Sequence, residues 1–474
     1  MLFNSLTFVV FFALVLAVHY SPLAWTGKKV SLLLASYLFY AAWSPPFVLL
    51  LWLSTLVDWH VARRLHGEER PRQRLAWLWL SIGVNLGVLG FFKYGNFLNE
   101  NWALLMQTVG VDYVPPEWGI VLPVGISFYT FQTMAYSLDV YLRRAKPADS
   151  PLDFALFVTF FPQLVAGPIV RPTHLIPQFA TPHVASARQL GWGLSLMVLG
   201  LFQKVVIADM LLAPAADEVF GADEMVSFLD AWLGTLAFSG QIFSDFAGYS
   251  TTAIGTAMCL GFSLPDNFRF PYAAIGFSDF WRRWHISLSS WLRDYLYIPL
   301  GGNQRGVSRT YINLMLTMLL GGLWHGAAWT FVVWGGLHGL YLAVERFVRA
   351  RWGHLRIASA KLFRLALALL TYLLVNVTWV FFRAEDFPTA SRLLVAMTGF
   401  APTDAATPLP TLYIIQVTTV IALMVTVHWR MRERTLESVA ARTPPWLLVS
   451  LLAAMSFAIV VTQGSGDAFI YFQF

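Results

Sequence analysis

The chain is short of charge: Asp, Glu, Lys and Arg make up 12% of its 474 residues, against roughly 25% in soluble globular proteins. With 57% hydrophobic residues and a mean hydropathy of +0.60, it has too little polar surface to cover a water-soluble core of this size. That deficit excludes a soluble enzyme, a disordered chain and a nucleic-acid-binding module, and leaves an integral membrane protein. Cysteine is nearly absent as well. The single Cys259, in the apolar run IGTAMCLGF, excludes an intramolecular disulfide and any cysteine-based metal cluster. It reads as a small buried residue. No HExxH, cysteine pair or cluster of carboxylates points to a metal, and no metal site is expected. The net charge of +6 would suggest nucleic acid in a soluble protein. In a polytopic one it reflects Lys and Arg gathered in cytoplasmic loops.

What is abundant is apolar helix. The first run, about residues 6 to 24, has no basic residue before it and no small-residue cleavage site, so it reads as a retained span. Lys28 and Lys29 follow it, the cluster Arg63 to Arg74 comes next, and Arg143, Arg144 and Lys146 follow a segment near 121 to 141. This alternation puts the N-terminus outside and these clusters inside. Further apolar segments lie near 152–170, 190–211, 226–242, 249–264, 365–382, 411–428 and 446–463, with basic clusters at 346–364 and 430–442. At ~20 residues per crossing the count is about 11 to 13 membrane segments, several of them short. No repeat and no soluble region interrupts them. An all-α, polytopic domain over 1–474 is expected, with the C-terminus outside.

Residues 265 to 310 break the pattern. Read as one helix, Phe280 to Leu296 places Arg282, His285, Ser289 and Arg293 within an arc of about 80°, with Trp281, Trp284, Leu288, Trp291 and Leu292 around them. Two readings stay open. Tryptophan belts and snorkelling arginines form an interfacial anchor without any function. Alternatively the stripe, with Arg305 and Arg309, forms a cationic mouth for a phosphorylated ligand.

The next stretch, LMLTMLLGGLWHGAAWTFVVWGGLHGLYLAVER, buries His325 among Gly321, Gly322, Gly326 and Ala327. An intramembrane ionisable group is costly and therefore a functional candidate, and a neutral imidazole is what a general base requires. The small neighbours leave room for another backbone or for a substrate. A histidine bonded between packed helices is the plain alternative. His338 falls 13 residues on, about 220° around a continuous helix, so a two-histidine metal site is not expected. FFPQLVAGPIVRP (160 to 172) suggests a broken or re-entrant helix with freed backbone groups facing a cavity. Asp245, in QIFSDFAGYSTTAIG, either orients a substrate or a histidine or bonds helix to helix. Asp58 and Asp139 end hydrophobic runs and read as interfacial.

Taken together, FFPQLVAGPI, DNFRFPY, FWRRWHISLSSWLRDYLYIPLGG and GGLWHGAAWTFVVWGGLHG resemble the membrane-bound O-acyltransferase family, in particular its bacterial alginate O-acetyltransferase branch. The likeness covers about residues 1 to 390 and is densest between 240 and 345. It implies a ring of helices around a thinned chamber. His325 in LWHG matches the family's catalytic histidine and His285 in RRWH the branch's second histidine. Asn267 in DNF lies near a polar position of other members. His325 and His285 are the expected catalytic residues, and Arg282, Arg293, Arg305, Ser289, Asn267 and Asp245 the expected donor-binding or chamber-lining ones. The implied reaction is acetyl transfer in the bacterial inner membrane with acetyl-CoA as donor substrate and no bound cofactor. A periplasmic SGNH-type acetyltransferase and polysaccharide secretion machinery are the implied partners. D-alanyl transfer to teichoic acid and acetylation of cellulose or peptidoglycan are the alternatives within the family. From another class, a proton-coupled transporter would use a central His and Asp as relay; the lack of a repeat stands against it.

Overall fold

The computed structural model describes residues 1–116, 118–353, 360–400, 402 and 405–462; Arg356 of the basic cluster lies outside them. The described chain is helical, and among the described residues the only β-type pairing is an isolated bridge between Val226 and Ala406. Among the described residues, six helical stretches are long and apolar enough to cross a membrane: Pro45–Gly67, Pro71–Thr108, Ala187–Phe220, Lys361–Arg383, Thr411–Met431 and Pro445–Thr462. The fold is therefore the all-α, multi-pass membrane architecture that the composition demands. Backbone contacts divide the chain into two compact units, residues 1–194 with 253–265 and residues 195–252 with 266–474.

The first unit contains α1 (Leu6–His19), α2 (Trp25–Ala41), α3 (Val48–Gly67), α4 (Pro71–Thr108), α5 (Ile126–Tyr141), α6 (Pro151–Thr159), α7 (Phe161–Leu164) and α8 (Pro172–Ala180). Asp58 and Asp139 are not interfacial here; both are buried. Asp58 sits mid-α3 and accepts from Ser81 Oγ, from Ser137 Oγ at 2.7 Å and from Asn85 Nδ2 at 2.8 Å, while Thr133 Oγ1 donates to Asn85 Oδ1 at 2.9 Å. The donors come in i,i+4 pairs from α4 and α5, so one helix face on each supplies the solvation that water would otherwise give. Asp58→Ala strands several buried donors at about 1–3 kcal/mol each. A fall in thermal stability by about 3 kcal/mol or more is expected, read by fluorescence-detected melting of the detergent-solubilised protein; an unchanged melt would mean that these groups find other partners.

The stretch 160–172 is broken, as Pro162 and Gly167-Pro168 require. Two of the backbone groups freed at its start are satisfied by side chains. The Phe157 carbonyl accepts from Gln132 Nε2 and, at 3.0 Å, from Gln163 Nε2, and Phe161 N–H donates to Ser36 Oγ at 3.1 Å. Side-chain amides and a hydroxyl thus replace the missing helix partners. A buried ion pair, Lys29 Nζ to Asp153 Oδ1 at 2.5 Å, ties α2 to α6.

The second unit begins within α9 (Ala187–Leu201), which runs through a π-helix (Phe202–Leu212) into α10 (Ala213–Phe220). The two apolar segments near 226–242 and 249–264 are a single helix, α11 (Phe228–Cys259), because the polar residues between them are absorbed by packing. Gly200 and Gly248 let α9 and α11 touch: a Cβ on Gly200 would meet Gly248 O at 2.5 Å. Then follow α12 (Phe277–Trp281), α13 (Ile286–Leu292), α14 (Val307–His325), α15 (Trp329–Trp352), α16 (Lys361–Arg383), α17 (Phe387–Met397), α18 (Thr411–Met431), α19 (Leu436–Ala440) and α20 (Pro445–Thr462). A clasp around Asp279 fixes the segment before α13. Asp279 Oδ1 accepts from Arg283 Nε at 2.9 Å, and its Oδ2 accepts from Ile275 N at 2.9 Å and Arg432 Nη2 at 2.5 Å. Burial alone would raise this carboxyl's pKa; the backbone N–H of Ile275 and the two guanidiniums outweigh it and hold the pKa below the usual value.

Candidate active site

α14 stops at His325, and the extended backbone of Gly326 and Ala328 turns the chain back into α15. The turn is tight enough that a Cβ on Gly326 would lie 2.0 Å from the Phe331 ring. Just above it the two helices touch at Gly322 and Gly335, where a Cβ on either would lie 2.3 Å from a carbonyl oxygen of the facing helix. The room left at Gly322 is thus taken by α15's backbone, that at Gly326 by the Phe331 ring and that at Gly321 by the Leu292 side chain.

The His325 ring is buried in an aromatic box. Trp324, Trp334 and Phe382 meet it edge-on at centroid distances of 5.1, 5.0 and 5.4 Å. The fourth neighbour is His285, whose ring centroid is 6.3 Å away with the planes at 62°. The sequence separates the two histidines by 40 residues, and the fold brings them together.

His285 reaches this place through a correction to the helix read from the sequence. Residues 280 to 296 are not one helix. α12 ends at Trp281, His285 takes a left-handed conformation (φ 42°) as the N-cap of α13, and Arg293–Tyr297 is π-helical. A histidine at positive φ is strained, and Asn267 supplies what holds it. Asn267 O accepts from Ile286 N–H at 2.9 Å, and its Oδ1 accepts from Ser287 N–H at 3.2 Å and Ser287 Oγ at 2.9 Å. His285 Nδ1 lies 3.1 Å from the same Oδ1, and Asn267 Nδ2 donates to Ser250 Oγ of α11 at 3.1 Å. Phe246, also on α11, meets the His285 ring edge-on at 4.7 Å.

The expected polar stripe therefore does not exist as one face. His285 is buried, whereas Arg282, Arg293 and Arg305 are exposed, and Ser289 Oγ donates to Trp284 O at 3.2 Å. Arg293 Nε is bonded to Asp294 at 2.7 Å. Asp245 is ion-paired with Lys204 Nζ at 2.6 Å, and the same ammonium meets Asp209 at 2.8 Å. Of the readings of Asp245, helix-to-helix bonding is the one the contacts carry. Lys204 was legible as an intramembrane lysine in FQKVVIADM, a signal in itself, but its partners were not. The spacing to His338 speaks only against a shared metal site, not against a place beside His325. His338 is buried beside the site, 4.8 Å from the Trp334 ring and 5.1 Å from Trp281, with Nε2 3.0 Å from Thr378 Oγ1. Trp334 thus lies against both His325 and His338.

Two imidazoles in a box of indole and phenyl rings, with little water, can accept and hold a proton beside a reacting carbonyl. Residues 75–378 match the membrane-bound O-acyltransferase family. The chain belongs to that family. Over 405 residues it is 43% identical to a protein of Azotobacter vinelandii named "Probable alginate O-acetylase AlgI", covering 84% of this chain and 78% of that one. It is 38% identical over 397 residues to the peptidoglycan O-acetyltransferase of Helicobacter pylori, covering 78% of this chain and 74% of the other. The teichoic acid D-alanyltransferase of Bacillus subtilis is more distant, 29% identical over 269 residues. As a membrane-bound O-acyltransferase the chain is an enzyme of acyl transfer to oxygen, and His285 and His325 both fall inside the matched region.

Proposed function

We propose that the chain is a bacterial inner-membrane O-acetyltransferase that moves acetyl groups from a cytoplasmic thioester, acetyl-CoA, toward an exopolysaccharide such as alginate. The observation that carries this reading is the meeting of His325 and His285 in one buried aromatic box, in a chain alike over most of its length to O-acetylating relatives. His325 takes the proton of the attacking hydroxyl as the new C–O bond forms. The thioester C–S bond breaks, and the proton passes to the leaving sulfur, giving free thiol. Holding hydroxyl and thioester together in a dry site supplies much of the acceleration. The exposed arginines Arg282, Arg305 and Arg309 suit the phosphates of the donor. A periplasmic SGNH-type acetyltransferase and the polysaccharide secretion machinery are the expected partners. The likeness to a peptidoglycan O-acetyltransferase makes that polymer the second candidate acceptor.

Inverted membrane vesicles containing the chain, supplied with acetyl-CoA labelled in the acetyl group, are expected to release free CoA and carry label to a lumenal acceptor. Use of a D-alanyl carrier protein in place of acetyl-CoA would reassign the donor. Proton-coupled solute uptake with no thioester consumed would overturn the enzyme reading in favour of a transporter.

A further inference from the structure

The Asn267 amide is oriented without ambiguity. Its Oδ1 receives the backbone N–H of Ser287, which can only donate, so the atom facing that group is the oxygen. His285 Nδ1, 3.1 Å from that same oxygen, must therefore carry the hydrogen. In the neutral ring the lone pair then lies on Nε2, at the opposite edge.

We propose that Asn267 is a positioning residue that holds His285 as a neutral hydrogen-bond acceptor at Nε2, the form in which it serves the acyl transfer beside His325. This rests on the acyltransferase reading for its consequence, but not for its structural content. The base–orienter logic is general: a third group that fixes the tautomer of an imidazole decides whether it accepts or donates. The surroundings agree. α14 brings the titratable His325 to 6.3 Å, and α11 brings the Phe246 ring. The preceding Asp245 is tied to Lys204. In the segment that carries Asn267, Asp266 and Arg269 are exposed and paired with each other at 3.2 Å. Phe268 and Trp324 add only apolar rings, at 6.4 and 6.0 Å.

Asn267 also caps α13, so removing it would confuse a chemical role with a structural one. Asn267→Asp separates them. A carboxylate still accepts from Ser287 N–H, Ser287 Oγ and His285 Nδ1, and loses only the donation to Ser250. What it adds is a negative charge beside the ring, which favours imidazolium and raises the histidine pKa by roughly one unit or more. A raised pKa keeps His285 protonated to higher pH, so the neutral acceptor is lost from the low-pH side. The acid limb of the acetyl-transfer rate, where the buried ring takes up its proton, should move up by about one pH unit. Equal losses at every pH would overturn the proposal and leave Asn267 as a cap alone. A second readout needs no activity. Solid-state 15N NMR of ring-labelled histidine in membranes should show a neutral Nδ1–H signal that disappears in His285→Gln. An Nε2–H or imidazolium signal for His285 at neutral pH would overturn the tautomer assignment. If the NMR signal is present while wild-type membranes move no acetyl group, the assignment of Asn267 stands and the acetyltransferase reading fails.

Discussion

His325→Ala is expected to reduce polymer O-acetylation by about 10²- to 10⁴-fold, the usual contribution of a positioned acid–base group, while membrane abundance stays near wild type. The reasoning lies in the box. His325 ends α14, and its ring touches three aromatic side chains edge-on within 5.0–5.4 Å. Each such contact contributes about 0.5–1.5 kcal/mol beyond burial, so truncation alone weakens the fold somewhat. His325→Gln keeps more of the volume and a polar tip but cannot take up a proton. Loss of acetylation in both variants, with both proteins present in the membrane, assigns the loss to proton chemistry. The measurement is acetyl content of the secreted polymer in a strain whose only copy is the variant. Retained acetylation in both would reduce His325 to a packing residue, and the proposed mechanism would fall even though the family membership stands.

How much of this could be read beforehand depends on whether a residue's partners are local. The membrane class, the break at 160–172 and the candidacy of His325 follow from composition, from prolines and from one ionisable group in an apolar run. All are properties of a single segment. His285 was found as a candidate but placed on a continuous helix, because the 3.6-residue period of 280–296 is genuine and nothing within it announces the left-handed turn. The cause sits 18 residues upstream at Asn267, whose two oxygens capture the first N–H groups of α13. Lys204 and Asp209 illustrate the same limit. Five residues apart they lie about 140° apart on an α-helix, and only the i→i+5 winding of the π-helix brings them to 2.8 Å. Asp58 looked interfacial because its donors arrive from two other helices. Arg282 and Arg293 are expected beside the chamber only from an arc on a helix that the structure does not contain.

Gly335→Ala should cost the enzyme most of its activity, on the order of 100-fold. Its added Cβ would stand 2.3 Å from Met318 O and 3.1 Å from the Cα of Gly322. Ordinary contact needs ~3.5 Å, and the obstacle is helix backbone, which cannot rotate aside as a flexible side chain can. α15 must therefore move off α14 by roughly 1 Å. Trp334, one residue before Gly335, travels with it, and Trp334 is the ring packed at 5.0 Å against His325 and at 4.8 Å against His338. A displacement of about 1 Å near a reacting group is enough for a loss of that order. The neighbouring Gly336→Ala is the internal control, because its Cβ would meet only the Leu319 side chain, at 3.4 Å. It should retain near-normal activity and abundance. Overpacking alone costs about 1–3 kcal/mol, so Gly335→Ala should also lower the melting temperature of the solubilised protein while Gly336→Ala does not. If Gly335→Ala melts and transfers acetyl groups like the wild type, the α14–α15 seam has slack. In that case Trp334 cannot be what holds His325 in place, and the ring geometry of the site would have to be maintained from the Phe382 and Trp324 side instead.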